Sequence, residues 1–454
     1  MLNPYIFREY DIRGKVADDF PPEIVVLLGR AFGTFVKRSG GQEIALSGDI
    51  RLTTPDLIDA FREGVLSTGT DVINLRIIPT PVNYYSMYKL NVSGAVQITG
   101  SHNPPEFNGF KLSLHKKPVY GSQITSLKKI IELGDFEYGE GTETRYKILP
   151  DYKQMILSKI NIERTMRVVM DCANAAAAIN APEIFRDLGV ELTELYCEPD
   201  GTFPNHHPDP TVEKNLADLI TTVQSGSYDV GIAFDGDADR IGVVDETGDI
   251  IWADQLLTLF LPEVLDPGGE IIYDVKCSQA LEDMIKRYGG KPVMWKTGHS
   301  LIKQRMADLG CKLGGEMSGH IFFADEYFGY DDAIYVAARL VQLLSRSEKT
   351  LSELKAEIPT YYSTPEMRLE AESDEEKFRI AKKAVDYFQD AYDCSTVDGV
   401  RIRFGDGWGL VRSSNTQPVI VCRFEADSPE RMKEIKDLVM GKLQEFGNLE
   451  TNDI

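Results

Sequence analysis

Residues 43–61, "EIALSGDIRLTTPDLIDAF", open on an apolar run of strand type, turn at an aspartate and continue in a helical pattern. The same succession recurs at residues 167–185, "RVVMDCANAAAAINAPEIF", and at residues 270–285, "EIIYDVKCSQALEDMI". Each is followed some tens of residues later by a second strand-like run that opens into a polar loop. These are "GAVQITGSHNPP" (94–105), "DVGIAFDGDADR" (229–240) and "KLGGEMSGHIFF" (312–323). Strands alternating with helical segments imply α/β units with mixed or parallel sheets, and the threefold recurrence fits three related α/β domains.

The C-terminal part has another rhythm. "SDEEKFRIAKKAVDYFQDAY" (373–392) begins with a capping box, Ser373 with Glu376, and runs with helical periodicity. The strand-like "GVRIRF", the turn "GDGWG", "VRSSNTQP" and "VIVCRFEA" follow, before a last helix with Ser428 as N-cap and Pro429 at its first position. This predicts a small α+β domain containing a hairpin. Joins near 140–150, 245–250 and 357–366 divide the chain into expected domains 1–148, 149–248, 249–362 and 363–454.

A chain of 454 residues is too long for one hydrophobic core. Its formal charge of -22 opposes binding to nucleic acid or to an anionic membrane surface, but leaves room for an anionic small substrate held by a local cluster of Arg and Lys. The six cysteines, Cys172, Cys197, Cys277, Cys311, Cys394 and Cys422, form no C-x-x-C pair and read as reduced thiols. The N-terminal "MLNPYIFREYDIRG" has no apolar signal core, and no run reaches the length of a membrane span, so a cytoplasmic protein is expected.

Four loops carry chemistry. In "QITGSHNPPEFNGFKL" (97–112), Ser101 and His102 stand before two prolines that keep them out of a regular helix or central strand. A nucleophile on a stiff loop and an ordinary turn are both compatible with that composition. Asp235, Asp237 and Asp239 alternate in "FDGDADR", so their carboxylates can converge on a hard cation such as magnesium. An EF-hand is excluded by Arg240 at the sixth loop position and by strand-like flanks. A phosphatase with Asp235 as nucleophile and Asp237 as acid remains an alternative. In "GGEMSGH" (314–320), Glu316 and Ser318 alternate and can read neighbouring sugar hydroxyls. In "LVRSSNTQP" (410–418), Arg412, Ser413, Ser414, Asn415 and Thr416 offer a guanidinium fork, hydroxyls and free N–H groups to a phosphate.

The ordered series "FREYDIRG", "TGSHNPPEFNGFK", "FPNHHPDP", "DGDADR", "DVKCS", "KTGHSLIK", "GEMSGH" and "RSSNTQP" resembles the α-D-phosphohexomutases over nearly the whole chain. The resemblance implies three α/β mixed-sheet domains plus a C-terminal α+β, TATA-binding-protein-like domain around a central cleft. It implies that hexose 1-phosphate and hexose 6-phosphate interconvert through a phosphoserine at Ser101 and a hexose 1,6-bisphosphate, with Mg2+ on Asp235, Asp237, Asp239 and the phosphoserine. Arg13 is expected to neutralise phosphate charge, while Lys111 and His320 are the candidate proton carriers. Tyr10, His102, Arg240, Lys276 and His299 match positions that face the cleft. Glu316, Met317, Ser318 and Gly319 match the sugar-reading loop, and Arg412 to Thr416 the clamp on the non-reacting phosphate. Met317 favours the mannose/glucose type over phosphoglucosamine mutase, and a monomer or weak homodimer is expected. His102 is expected to point away from Ser101, because adjacent residues on an extended loop do so. His206 and His207 are expected to be structural. Two stretches depart from the family pattern. Alanines in "DCANAAAA" stand where glycine is common, which puts close backbone approach there in doubt, and "GDIRLTTP" has one Arg fewer than the commoner form and is assigned no role in the site.

Overall fold

The computed structural model describes residues 2–414 and 419–451, which form two compact units, residues 1–253 with 318–355 and residues 254–317 with 356–454. The stretch expected as the third domain, 249–362, contributes to both.

In the first unit, one sheet runs in the order Ile12–Lys15, Phe107–Leu114, Gly94–Ile98, Glu43–Gly48, Asp71–Ile77, Glu143–Arg145. Gly94–Ile98, Glu43–Gly48 and Asp71–Ile77 are parallel, while Phe107–Leu114 and Ile12–Lys15 join antiparallel. The buried, β-branched runs "EIALSG" and "GAVQI" explain why these strands are central. Helix Pro22–Arg38 begins with proline at its first position and buries Ile24, Val25, Leu28, Phe32 and Val36 along one side. It crosses helix Thr54–Leu66 where both carry glycine. A Cβ at Gly29 would lie 2.1 Å from the Phe61 carbonyl oxygen, and one at Gly64 would lie 2.1 Å from that of Val26.

The second sheet of this unit has the order Ile250–Ile251, Ile241–Asp245, Val230–Phe234, Arg167–Asp171, Glu191–Leu195. Val230–Phe234 is parallel to Arg167–Asp171 and antiparallel to Ile241–Asp245, so residues 235–240 form the connection of a hairpin. Strands on both sides of Asp235–Asp239 settle the matter against an EF-hand, which needs helices there. The returning segment supplies strand Ile321–Phe323 and helix Ala333–Arg346, whose N-cap Asp332 accepts from the Tyr335 N–H. The helix is seated on the same hairpin, where the Ala333 N–H donates to the Ala238 carbonyl at 3.2 Å.

In the second unit, Lys291–Trp295, Glu270–Asp274 and Leu313–Gly315 are parallel neighbours. A second sheet, antiparallel throughout, runs Asp393–Ser395, Val400–Arg403, Gly407–Ser413, Val419–Ala426, Met367–Glu370, Glu450–Thr451. Helices Asp374–Ala391 and Pro429–Phe446 pack on it around Ile380, Phe388, Ile435 and Val439. Both predicted caps form, with Ser373 accepting from the Glu376 N–H and Ser428 from the Arg431 N–H. Three mixed or parallel α/β sheets and one antiparallel α+β sheet are therefore present, matching the fold class expected from the sequence.

At the Gly29/Gly64 crossing there is no room for a larger residue. Gly64→Leu should destabilise the first unit by roughly 1–3 kcal/mol through overpacking. That loss reads as a lower urea midpoint at unchanged slope; a wild-type midpoint would contradict the close crossing.

Candidate active site

The Ser101 loop leaves the C-terminal end of the central strand Gly94–Ile98, where open α/β sheets bind ligands. Ser101 is buried and has a left-handed backbone, φ 49°, uncommon for a residue other than glycine. Several bonds hold it there. Its N–H donates to Thr99 Oγ1 at 2.8 Å, and Thr99 Oγ1 in turn donates to Asp49 Oδ2 at 2.7 Å. The guanidinium of Arg51, fully buried, donates to the carbonyls of Ser101 (2.7 Å), Asn103 (2.5 Å), Pro104 (2.6 Å) and Phe107 (3.0 Å). Its Nε meets Asp49 at 3.2 Å. Arg51 lies in "GDIRLTTP", the stretch to which the sequence assigned no role; the structure corrects that reading. The signal was a lone arginine following a buried strand.

The Ser101 hydroxyl donates to Asp235 Oδ2 at 2.9 Å and lies 3.4 Å from His102 Nδ1. The expectation that His102 points away is thus not met, although 3.4 Å is long for a hydrogen bond and Asp235 is the partner. Burial, then the cations Arg240 and Arg13, hold the His102 imidazole well below its ordinary pKa, so it is neutral.

Asp235, Asp237 and Asp239 are fully buried, each with a carboxylate oxygen within 4.8 Å of the others. Asp235 Oδ1 accepts the N–H groups of Asp239 and Arg240, both at 3.1 Å. Lys111, on strand Phe107–Leu114, reaches Asp237 Oδ2 at 2.7 Å and also bonds Asp239. Thr80, first residue of its helix, donates to Asp237 as well. Burial opposes the charge on Lys111, but the aspartates beside it carry its pKa above the ordinary lysine value. Burial, then Asp237, raises Asp239; burial, then the other two aspartates, raises Asp235 well above the carboxylate range. Asp237 is also penalised by burial, yet Lys111 and Thr80 bring it below that range. One ammonium does not neutralise three buried carboxylates, and Asp237 Oδ1 and Asp239 Oδ1 accept no hydrogen bond. Hard oxygen ligands lacking donors are what a divalent cation such as magnesium requires, so these residues fit one.

Close packing of backbones brings the two loops together. A Cβ at Gly236 would lie 2.1 Å from the Ser101 carbonyl oxygen. On the other side the Ala176 N–H donates to the Gly236 carbonyl at 3.3 Å, so the close approach doubted for "DCANAAAA" occurs with alanine, aided by left-handed turns at Ala173 and Asn174. His206 bonds Asp171 at 2.9 Å and His207 bonds the His102 carbonyl.

Arg240 Nε donates to His320 Nε2 at 2.9 Å, while His320 Nδ1 lies 3.0 Å from Asp331 and 3.6 Å from Asp239. Asp331, in "GYDDAIY", was not found from the sequence; only the chain's return past the hairpin places it here. Gly319, φ 101°, accepts the Ile241 N–H through its carbonyl at 3.2 Å. Arg13 pairs with Asp11 at 2.7 Å on strand Ile12–Lys15, and Tyr10 is half-buried just before that strand.

The remaining predicted residues lie in the second unit, except Ser318, which belongs to the first. Lys276 pairs with Glu366 at 3.0 Å, and its carbonyl accepts from Arg423. Arg401, fully buried over the Trp408 ring at 3.7 Å from its centroid, donates to the carbonyls of Val275 and Cys277, each at 2.8 Å. His299 is the first residue of a helix, and Glu316 accepts from the Gly298 N–H before it at 2.9 Å. The Met317 N–H donates to Asp274 at 3.1 Å. Arg412 meets Asp398 at 3.0 Å, Ser413 pairs with Ile420, and the Ser414 N–H donates to the Val419 carbonyl at 2.9 Å. Asn415 and Thr416 lie outside the described residues.

Four family models match the chain, those of the phosphoglucomutase/phosphomannomutase alpha/beta/alpha domain I at residues 4–137, domain II at 150–248, domain III at 252–362 and the C-terminal domain at 366–442. The chain belongs to the phosphoglucomutase/phosphomannomutase family. A phosphomannomutase/phosphoglucomutase of Pseudomonas aeruginosa is 44% identical over 441 residues, covering 97% of this chain and 95% of the relative. A phosphoglucomutase of Neisseria meningitidis serogroup A is 40% identical over 450 residues, covering 98% of each. The crystal structure of a phosphoglucomutase/phosphomannomutase family protein from Burkholderia thailandensis superposes with a TM-score of 0.92 at 40% identity, covering 99% of this chain and 100% of that one.

Arg51→Ala, which strips a buried ion pair and four carbonyl partners, should cost about 3–5 kcal/mol of stability. Its urea midpoint should fall accordingly, and a loss below the range for surface substitutions would show that the loop carbonyls find other donors. In the second unit, Lys276 draws Glu366 from 4.5 down to about 2 against the effect of burial. A carboxyl with a depressed folded pKa stabilises above its unfolded value and loses that contribution as pH falls through the folded one. Acid titration of stability should therefore steepen between pH 4.5 and about 2 in wild type and flatten in Glu366→Gln; parallel curves would refute the pairing.

Proposed function

We propose that this chain is a phosphomannomutase/phosphoglucomutase that interconverts hexose 1-phosphate and hexose 6-phosphate through phosphorylated Ser101 and a hexose 1,6-bisphosphate. The observation that supports it most is a strained, buried Ser101 whose hydroxyl is bonded to the first of three converging aspartates. We divide the chain as domains 1–148, 149–248, 249–362 and 363–454. The protein acts in the cytoplasm as a monomer or weak homodimer; among the described residues no helix is long and apolar enough to cross a membrane.

Asp235, Asp237, Asp239 and the phosphorylated Ser101 would hold Mg2+, which when bound supplies Lewis-acid polarisation of the phosphoryl oxygens. Everything else is positioning and charge, since phosphoryl transfer asks little covalent help from the protein. The Arg51 fork fixes the Ser101 backbone, so the phosphoryl donor cannot drift from its line. Arg13, Lys111 and Arg240 neutralise equatorial oxygens. His320 receives the proton of the attacking sugar hydroxyl. Its Nε2 accepts from the Arg240 Nε–H and its Nδ1 lies 3.0 Å from Asp331, so the ring is held between the two. The bisphosphate turns over, its second phosphoryl group passes to Ser101 Oγ, and the proton returns from His320. Glu316 and Ser318 read the sugar hydroxyls, and Lys276, His299 and Met317 are further substrate contacts. Arg412 to Thr416 bind the phosphate that is not reacting. Tyr10, His102 and Gly319 complete the substrate contacts.

A phosphatase would need Asp235 as nucleophile. That carboxylate already accepts from Ser101 and from two backbone N–H groups, which suits a ligand better than an attacking group. Ser101→Ala should abolish mutase turnover while sparing sugar-phosphate binding, and intact-mass analysis of the wild type should find one phosphate that maps to Ser101. Retained turnover in the variant, or inorganic phosphate released as fast as substrate disappears, would overturn the assignment. Mannose, glucose and glucosamine 1-phosphates compared in one assay measure the sugar preference, expected in the order of the mannose/glucose type over glucosamine.

A further inference from the structure

We propose that Cys172 and Cys197 are a redox modification site, forming a reversible disulfide that displaces the aspartate loop from Ser101. Strands Arg167–Asp171 and Glu191–Leu195 are parallel neighbours, and Asp171 is level with Leu195. Each cysteine follows closely on the end of its strand. The Cys172 N–H bonds the Leu195 carbonyl at 3.1 Å, and the Asn174 N–H bonds the Tyr196 carbonyl at 2.8 Å. Ala173 (φ 47°), Asn174 (φ 56°) and Tyr196 (φ 52°) are all left-handed, and these turns curl the two chain segments toward each other. The result is a thiol–thiol contact of 3.2 Å with Cys197 as donor. Cys172 is fully buried, whereas Cys197 is half-buried. Solvent therefore reaches Cys197 more readily.

The oxidant is a peroxide. The Cys197 sulfur attacks the O–O bond, takes one oxygen as a sulfenic acid, and the other oxygen leaves as water with the thiol proton. The Cys172 sulfur then attacks the Cys197 sulfur, an S–S bond forms, the S–O bond breaks, and a second water departs with the Cys172 proton. Two thiols lose two electrons in total and one peroxide gains them. To bond, the sulfurs draw together by roughly 1 Å.

That movement has a short path to the chemistry. Cys172 is followed by Ala173, whose N–H is held by Asp171 Oδ1 at 2.8 Å, and then by Ala176, whose N–H holds the Gly236 carbonyl at 3.3 Å. Gly236 sits between Asp235 and Asp237 and against the Ser101 carbonyl. A displacement of this size at a site that depends on alignment can cost about a hundredfold in rate.

The test uses the full chain, reduced and then treated with hydrogen peroxide, with peptide mapping and turnover read on the same samples. The inference expects a Cys172–Cys197 linked peptide two hydrogens lighter than its halves, turnover lowered about a hundredfold, and recovery of both on addition of dithiothreitol. Cys197→Ser should keep wild-type turnover and resist peroxide; Cys172→Ala provides the same check from the other side. Absence of the linked peptide, or oxidation of either sulfur beyond the sulfenic state without a link, overturns the modification. A linked protein that turns over like the reduced one overturns the displacement. Only the turnover arm rests on the proposed function. Reduced protein without mutase activity would count against that function, whereas active reduced protein indifferent to the link counts against this inference alone.

Discussion

The guanidinium of Arg51 is the interaction on which the Ser101 site depends. The loop carries two prolines and turns left-handed at Ser101, and four of its carbonyls face this guanidinium, of which only that of Pro104 is also met by a loop N–H, from Phe107, among the described residues. Buried and unpaired, each would cost about 1–3 kcal/mol. A planar fork with five donors meets all four and pairs with Asp49, which also accepts from Thr54, Thr99 and the N–H groups of Arg51 and Gly100. With the carbonyl of Ser101 fixed, its hydroxyl donates to Asp235, and the aspartate loop can approach because residue 236 has no side chain.

The second unit solves a similar problem by similar means. The carbonyls of Val275, Lys276 and Cys277 are held by Arg401 and Arg423, and the Trp408 ring faces the Arg401 guanidinium. Arg401 is thus solvated by carbonyls and an aromatic face, which explains how so large a cation can be buried. In a chain with a formal charge of -22, Arg51 and Arg401 are set against backbone oxygens, whereas Lys111 and Lys276 meet carboxylates. A rigid fork suits a fixed backbone, whereas a flexible ammonium can exchange a carboxylate for a phosphate.

Much of the chemistry was legible because it is written in short loops. Alternation placed Asp235, Asp237 and Asp239 together, and the flanking strands confirm that geometry. Caps at Ser373 and Ser428 followed from residue type and spacing alone. His102 was misjudged because the rule for an extended strand does not hold where Ser101 turns left-handed. Arg51 was given no role because nothing local says that four carbonyls, 50 to 56 positions away, await it. Thr80 was missed because 157 positions separate it from Asp237, and Asp331 because nothing in the sequence turns it back onto His320.

By itself the sequence determined the α/β class, the helix caps, the loops and the residue types able to bind a cation, a phosphate or a sugar, since each depends on neighbours within a few positions. Only the tertiary structure decided which loops meet. It brought Ser101 to Asp235, Lys111 between Asp237 and Asp239, and His320 between Arg240 and Asp331. Those pairings join residues up to 134 positions apart, as for Ser101 and Asp235. They are set by backbone contacts at Gly236, Ala176 and Ala333, whose energies depend on burial and fit rather than on sequence spacing.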